Sequence, residues 1–145
     1  MGLDMYLRKM VYVGANYSHR CVSVKIEINI GDQAVKVNPA KIAYIIEEAG
    51  YWRKANAIHN WFVTNVQDGD DNCQEHDVSY EQLQELRKLC KKVIKSKDAT
   101  LLPPSAGFFF GSTEADDYYF QNLKETVKII DSLDPEGDYS YRSSW

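Results

Sequence analysis

The sequence predicts a single α+β domain, a small and mainly antiparallel sheet with about four helices packed largely on one face. Three observations predict it. Apolar and polar residues alternate strictly through 22–30, and Gly31-Asp32 follows as a two-residue hairpin turn. Helical spacing of apolar residues governs 80–95 and the stretch from Ser112 to Leu133. No linker, repeat or low-complexity segment divides the 145 residues, so 1–145 is read as one domain.

The first strand spans 3–13, with Leu3, Met5, Leu7, Val11 and Val13 on one face and Asp4, Tyr6 and Arg8 opposite. Lys9 interrupts the apolar face, which predicts a bend there. In 22–30, Val22, Val24, Ile26, Ile28 and Ile30 share a face. If the turn pairs Ile30 with Gln33, Ile28 falls opposite Val35, so turn and hydrophobic pattern demand the same register. Asn38-Pro39 reads as a helix start, an N-cap followed by proline at the first helical position. Ile42, Ile45, Ile46 and Ala49 supply its stripe, and Gly50 its stop.

A second helix is expected over 51–66, YWRKANAIHNWFVTNV. At about 100° per residue, Trp52, Asn56, His59 and Val63 form one stripe and Tyr51, Ile58 and Phe62 another, leaving Arg53 and Asn60 in the only polar sector. A helix so apolar around its circumference is covered on most sides. Its polar groups are then either paired inside the core or line a pocket.

Residues 67–77 form a polar, acidic loop. Asp68, Asp70 and Asn72 follow the start of a calcium-loop pattern, but Cys73 replaces the turn glycine and Ser79 the closing Glu. Ser79 with Gln82 makes a capping box for a helix burying Leu83, Leu86, Cys90 and Val93. The segment 105–111, SAGFFFG, suggests a short buried strand or a rigid loop. Ser112 or Thr113 would cap the last helix, whose stripe is Phe120, Leu123, Val127 and Ile130. Glu114, Asp116 and Asp117 suit that helix's dipole and would repel a phosphate. Tyr118 falls on the polar face with Gln121, Asn122 and Glu125. Tyr139, Tyr141, Ser143 and Trp145 alternate as a C-terminal strand that can pair with the first.

Composition narrows the function. A net charge of −4 argues against general nucleic-acid binding. Three cysteines without close spacing argue against a disulfide framework or a zinc site, and for a reducing compartment. No run reaches transmembrane length and no signal core is present, so a cytosolic protein without membrane contact is expected. Tyr6 stands where N-myristoylation wants Ser or Thr. No cofactor or metal motif and no P-loop, GxSxG or HExxH occurs, so no catalytic residue is assigned.

MGLDMYL, YWRKANAIHNWFV, GFFFGST and YRSSW together resemble a family of small uncharacterised proteins encoded by bacteriophages and by bacteria carrying phage-derived genes. The resemblance spans nearly the whole chain. It implies a phage or mobile-element origin and brings no activity with it. In that setting the first expectation is a non-enzymatic accessory protein that binds a small ligand, with a nucleotide-derived host immune signal as the sharpest form. Trp52, Arg53, Asn56, His59, Asn60, Trp61 and Tyr118 are the candidate ligand residues. Aromatic faces stack on a base, Asn reads its edge and Arg pairs with phosphate. The alternatives are a protein–protein inhibitor of a host defence enzyme, and an enzyme using His59 as general base. Homo-oligomerisation is left open.

Overall fold

Leu3, Met5 and Leu7 have no exposed surface, and the strand that continues from them, β1 (Asp4–Tyr12), lies inside the main sheet. The computed structural model describes residues 2–14, 25–107 and 110–145. Chain order is β1, β2 (Ile28–Ile30), β3 (Gln33–Val35), a 3₁₀ turn at Pro39–Lys41, β4 (Tyr44–Arg53), α1 (Asn56–Asn65), β5 (His76–Val78), α2 (Tyr80–Ser96), a 3₁₀ turn at Ala99–Leu101, α3 (Asp117–Asp131) and β6 (Asp138–Ser144). One antiparallel sheet has the order β4-β1-β6-β5, and β2-β3 forms a separate hairpin.

Period-two alternation assigns the two faces of the main sheet. Met5 lies opposite Trp52 and Ser143, and Leu7 opposite Gly50 and Tyr141, all of them buried. The other face carries Asp4, Tyr6, Arg8, Tyr51 and Arg142. Helices α1 and α3 cover the buried face. The Phe62 ring of α1 stacks on Tyr141 with centroids 3.8 Å apart, and Thr126 of α3 accepts a hydrogen bond from Trp52 Nε1 at 2.9 Å. Helix α2 packs against α3, burying Leu83, Leu86, Cys90 and Val93 as its periodicity requires, and the Ser79–Gln82 capping box is present in full. Burial pushes the Cys90 thiol up to about 12.

The α+β class and the mainly antiparallel sheet are as the sequence predicts, but several elements differ. Three α-helices, not four, are present among the described residues. The helix expected from Asn38-Pro39 is a single 3₁₀ turn. Asn38 does cap it, accepting from Ala40 N–H at 3.1 Å, but the chain then becomes β4. The Ile42, Ile45, Ile46 spacing fits either period. β-Branched and aromatic residues prefer a pleated ladder, and Met10, Val11 and Tyr12 supply one opposite Ile46, Ile45 and Tyr44. Helix 51–66 likewise shortens to α1, because Tyr51, Trp52 and Arg53 end β4 and Lys54 turns the chain at φ 55°.

The Gly31-Asp32 hairpin pairs in the expected register, Ile30 with Gln33 and Ile28 with Val35. It does not join the main sheet, where β4 and β5 stand instead, and Ile28, Ile30, Val35 and Val37 remain exposed. Val22 and Val24, the start of that expected strand, lie outside the described residues, as do Cys21, Phe108 and Phe109. The bend anticipated near Lys9 is a bulge between Leu7 and Arg8. Leu7 pairs with Gly50 and Arg8 with Glu48, which leaves Ala49 over.

Gly50 is therefore no helix stop. A Cβ there would lie 2.7 Å from Ile129 Cγ2 and 3.4 Å from Leu7 Cβ, so the missing side chain lets α3 seat directly on β4. Gly50→Ala should lower stability by about 1–3 kcal/mol through overpacking. The check is the urea midpoint, which should fall with an unchanged slope.

At the far end of the core, Lys9 pairs with Asp134 at 3.1 Å. The Glu136 backbone N–H and the Lys9 ammonium hold the Asp134 carboxyl below its ordinary 3.8. A depressed carboxyl stabilises the fold above its unfolded value, and that contribution is lost as pH falls through the folded one. Asp134→Asn should therefore flatten the acid limb of the stability–pH curve below about pH 4, read by thermal melts across that range.

Candidate functional site

Two polar clusters flank α1, one closed and one open. His59 projects from the middle of the helix and is 1% exposed. Its Nδ1 lies 2.7 Å from the Tyr141 hydroxyl and its Nε2 2.9 Å from Asp71 Oδ2. The other oxygen of Asp71 accepts from Trp145 Nε1 at 3.0 Å. Burial holds the Tyr141 hydroxyl well above the ordinary tyrosine value, with the Asp71 and Cys73 charges adding to it, so it stays protonated. The Asp71 carboxylate only accepts, so Nε2–H donates to it, and Nδ1 pairs with the Tyr141 hydroxyl. The Phe110 ring closes over the imidazole edge-on at 5.1 Å. Every hydrogen-bonding position of His59 is engaged.

The open cluster sits at the first turn of α1. Ala55 occupies the N-cap position and has no side chain to offer, and the first turn holds no acidic residue. Backbone bonding inside the helix begins with His59 N–H to Ala55 O at 2.9 Å. The N–H groups of Asn56, Ala57 and Ile58 have no acceptor among the described residues. They border a cavity of about 240 Å³ between the β4–α1 turn, the 111–116 segment and the start of α3.

Asn56 builds one wall. Its Nδ2 donates to Phe110 O at 3.0 Å and Ser112 O at 2.8 Å, and its Oδ1 accepts from Ser105 N–H at 3.1 Å. One side chain thus ties the 105–112 loop to α1. Lys54 crosses beneath Gly111 (φ 88°), where a Cβ would sit 3.4 Å from the Lys54 stem. Lys54 makes no ion pair among the described residues. Tyr118 forms the outer rim, its hydroxyl donating to Arg53 O at 2.6 Å with its ring half exposed. Asp116, rather than Ser112 or Thr113, caps α3 by accepting from Tyr119 N–H at 2.9 Å.

Asn122 stands on the α3 side of the cavity. It is 7% exposed, and its side-chain amide has no hydrogen-bond partner among the described residues. Its neighbours are all accounted for. Tyr119 donates to Leu102 O at 2.7 Å, and Thr126 to the backbone oxygen of Asn122 itself at 2.7 Å.

Of the seven sequence-derived candidates, Asn56 and Tyr118 line this cavity, and Arg53 touches its rim through the backbone. Trp52 and His59 are buried and hydrogen-bonded in the core. Trp61 is buried with its edge on Phe62, and Asn60 is half-buried outside the lining. Asn122 and Lys54 were not singled out. Asn122 lies four residues after Tyr118 on α3, and a helical wheel weighted to the Leu123 stripe assigns it to the solvent face. Tyr119 and Thr126, also buried, widen that stripe to include it.

A larger groove of about 1110 Å³ runs past Met10, Tyr44, Ser79 and Tyr139. Its Ser79 and Gln82 are engaged in the α2 cap and its Tyr139 hydroxyl in a bond to Asp134 O. Asp70 and Asn72 bond each other and the local backbone. Among the described residues no group of three or more His, Cys, Asp or Glu is placed to hold a metal ion. No described helix is long and apolar enough to cross a membrane. No family model, curated protein or solved structure matches the chain.

Asn56→Ala removes three hydrogen bonds at once. It should cost about 1–3 kcal/mol and speed amide exchange through 105–112. If exchange there is unchanged, the loop is held by something other than Asn56.

Proposed function

We propose that the protein is a non-catalytic binder of a small ligand, held in the cavity between the start of α1 and α3. The observation that carries this reading is Asn122, a largely buried residue of the cavity lining whose amide has no protein partner among the described residues, beside three unpaired backbone donors. Its amide atoms are not sealed in the core, where the partnerless atoms are those of Gln67 and Ser143, so they are free to bond a molecule in the cavity. The geometry lends no support to His59 as a general base, since its ring is enclosed and both nitrogens are engaged. The resemblance to phage-encoded proteins supplies a setting, an accessory protein acting in the host cytosol. A nucleotide-derived signal would have to lie largely outside this cavity, with its base against the exposed ring of Tyr118.

A second reading, a protein-binding inhibitor, is favoured by a different surface. Among the described residues β4 is an edge strand that exposes Tyr44, Ile45 and Ile46, and the β2–β3 hairpin exposes Ile28 and Ile30. An unpaired apolar edge is a template for another chain.

Asn122→Leu distinguishes the two. Replacing the amide by a hydrocarbon of similar size should leave the fold intact and weaken small-molecule uptake by about tenfold or more in ligand-observed NMR against a metabolite extract. A destabilised variant would mean that the amide is satisfied in the native protein. Unchanged uptake would move the site elsewhere.

A further inference from the structure

The lining of the α1–α3 cavity carries both signs of charge, and that mixture selects a ligand class; this inference rests on the cavity being the binding site. The lining includes Ala57 and Ile58 at an uncapped helix start, equivalent to roughly half a positive charge, and the exposed residue Lys54. The Asn122 amide adds further donors. Glu114 and Asp116 belong to the same lining. Asp116 gives Oδ1 to the α3 cap, and its second oxygen has no partner among the described residues. The Glu114 carboxylate likewise has none. A phosphate dianion would meet these two carboxylates, and a simple amine would meet Lys54 and the helix dipole. A ligand that carries both a carboxylate and an ammonium meets both kinds of group.

We propose that the cavity binds a small apolar α-amino acid as its zwitterion. The carboxylate sits on the Ala57 and Ile58 N–H groups and the Asn122 amide, and the ammonium faces Glu114 and Asp116. At about 30 Å³ per water-sized group, a cavity of about 240 Å³ holds roughly eight non-hydrogen atoms. That is the size of valine and far below that of a nucleotide. The remaining wall, Ala57, Leu123 and the ring of Tyr119, suits a hydrocarbon side chain.

The test is a set of ¹H–¹⁵N NMR titrations with L-valine, isobutyrate, isobutylamine and adenosine monophosphate. Valine should shift the Ala57 and Ile58 amide resonances. Each half-ligand should bind about tenfold or more weakly, the worth of one charge-assisted contact. Glu114→Gln with Asp116→Asn, which keeps a good N-cap, should erase the preference for valine over isobutyrate. Asn122→Leu should lower valine affinity by about tenfold or more. Equal binding of valine and isobutyrate overturns the zwitterion and leaves a plain carboxylate site. Shifts at Ala57 and Ile58 with adenosine monophosphate but not valine overturn this inference and keep the cavity as a binding site. Silence from all four compounds, and from a metabolite extract, removes both readings.

Discussion

A tyrosine in the middle of a sheet imposes a chain of obligations, and the rest of this structure follows from them. Tyr141 has no exposed surface, and its ring lies flat on Phe62 at an interplanar angle of 6°. Its hydroxyl must find a partner inside the protein. The partner is His59, one helical turn from Phe62, so stack and hydrogen bond together fix both the height and the rotation of α1 over β6. His59 then has a second nitrogen to satisfy and reaches Asp71, which brings the acidic loop against the core. Asp71 in turn holds the indole of Trp145 at the end of the chain. Segments distant in sequence are drawn together because buried polar atoms cannot be left alone.

Fixing α1 at its centre determines what happens at its start. The strand β4 is held in register by β1, and the left-handed turn at Lys54 joins it to the helix. Little chain is left between the two elements, and the N-cap position falls on alanine. The close approach of α3 follows from the same register, because the buried face of β4 at that level presents Gly50, against which Ile129 packs. The cavity is thus the space left where an uncapped helix, a glycine-bearing loop and the first turns of α3 meet. Asn56 prevents its collapse by holding that loop at 105–112.

Much of this was legible in the sequence, for specific reasons. β1, the hairpin register, the α2 capping box and β6 each rest on a local signal with one interpretation, a strict alternation or a turn and a cap at fixed offsets. The stretch 42–53 has no such signal. Ile42, Ile45 and Ile46 satisfy a helical stripe and a strand equally, and only the cross-strand partners on β1 decide between them. A helix over 51–66 would put Trp52 and Asn56 on a shared stripe, whereas they belong to consecutive elements facing different neighbours. Aromatic and amide content drew attention to the right region but could not separate Asn56 and Tyr118, which line the cavity, from Trp52 and His59, which do not. Asn122 was hidden by a helix whose buried face includes polar positions.

The two asparagines on opposite sides of the cavity show why burial alone does not identify a binding group. Asn56 and Asn122 are nearly equally buried, at 5% and 7% exposure. Asn56 makes three hydrogen bonds to the backbone and is fully explained by the loop it holds. Asn122 makes none through its side chain among the described residues. Its amide is not sealed away like that of Gln67, and it is left available to a molecule in the cavity. Ala55 at the N-cap position likewise offers α1 no side-chain acceptor. The Asn122 amide and the uncapped start of α1 open onto one space of about 240 Å³, and a bound polar ligand there would meet both.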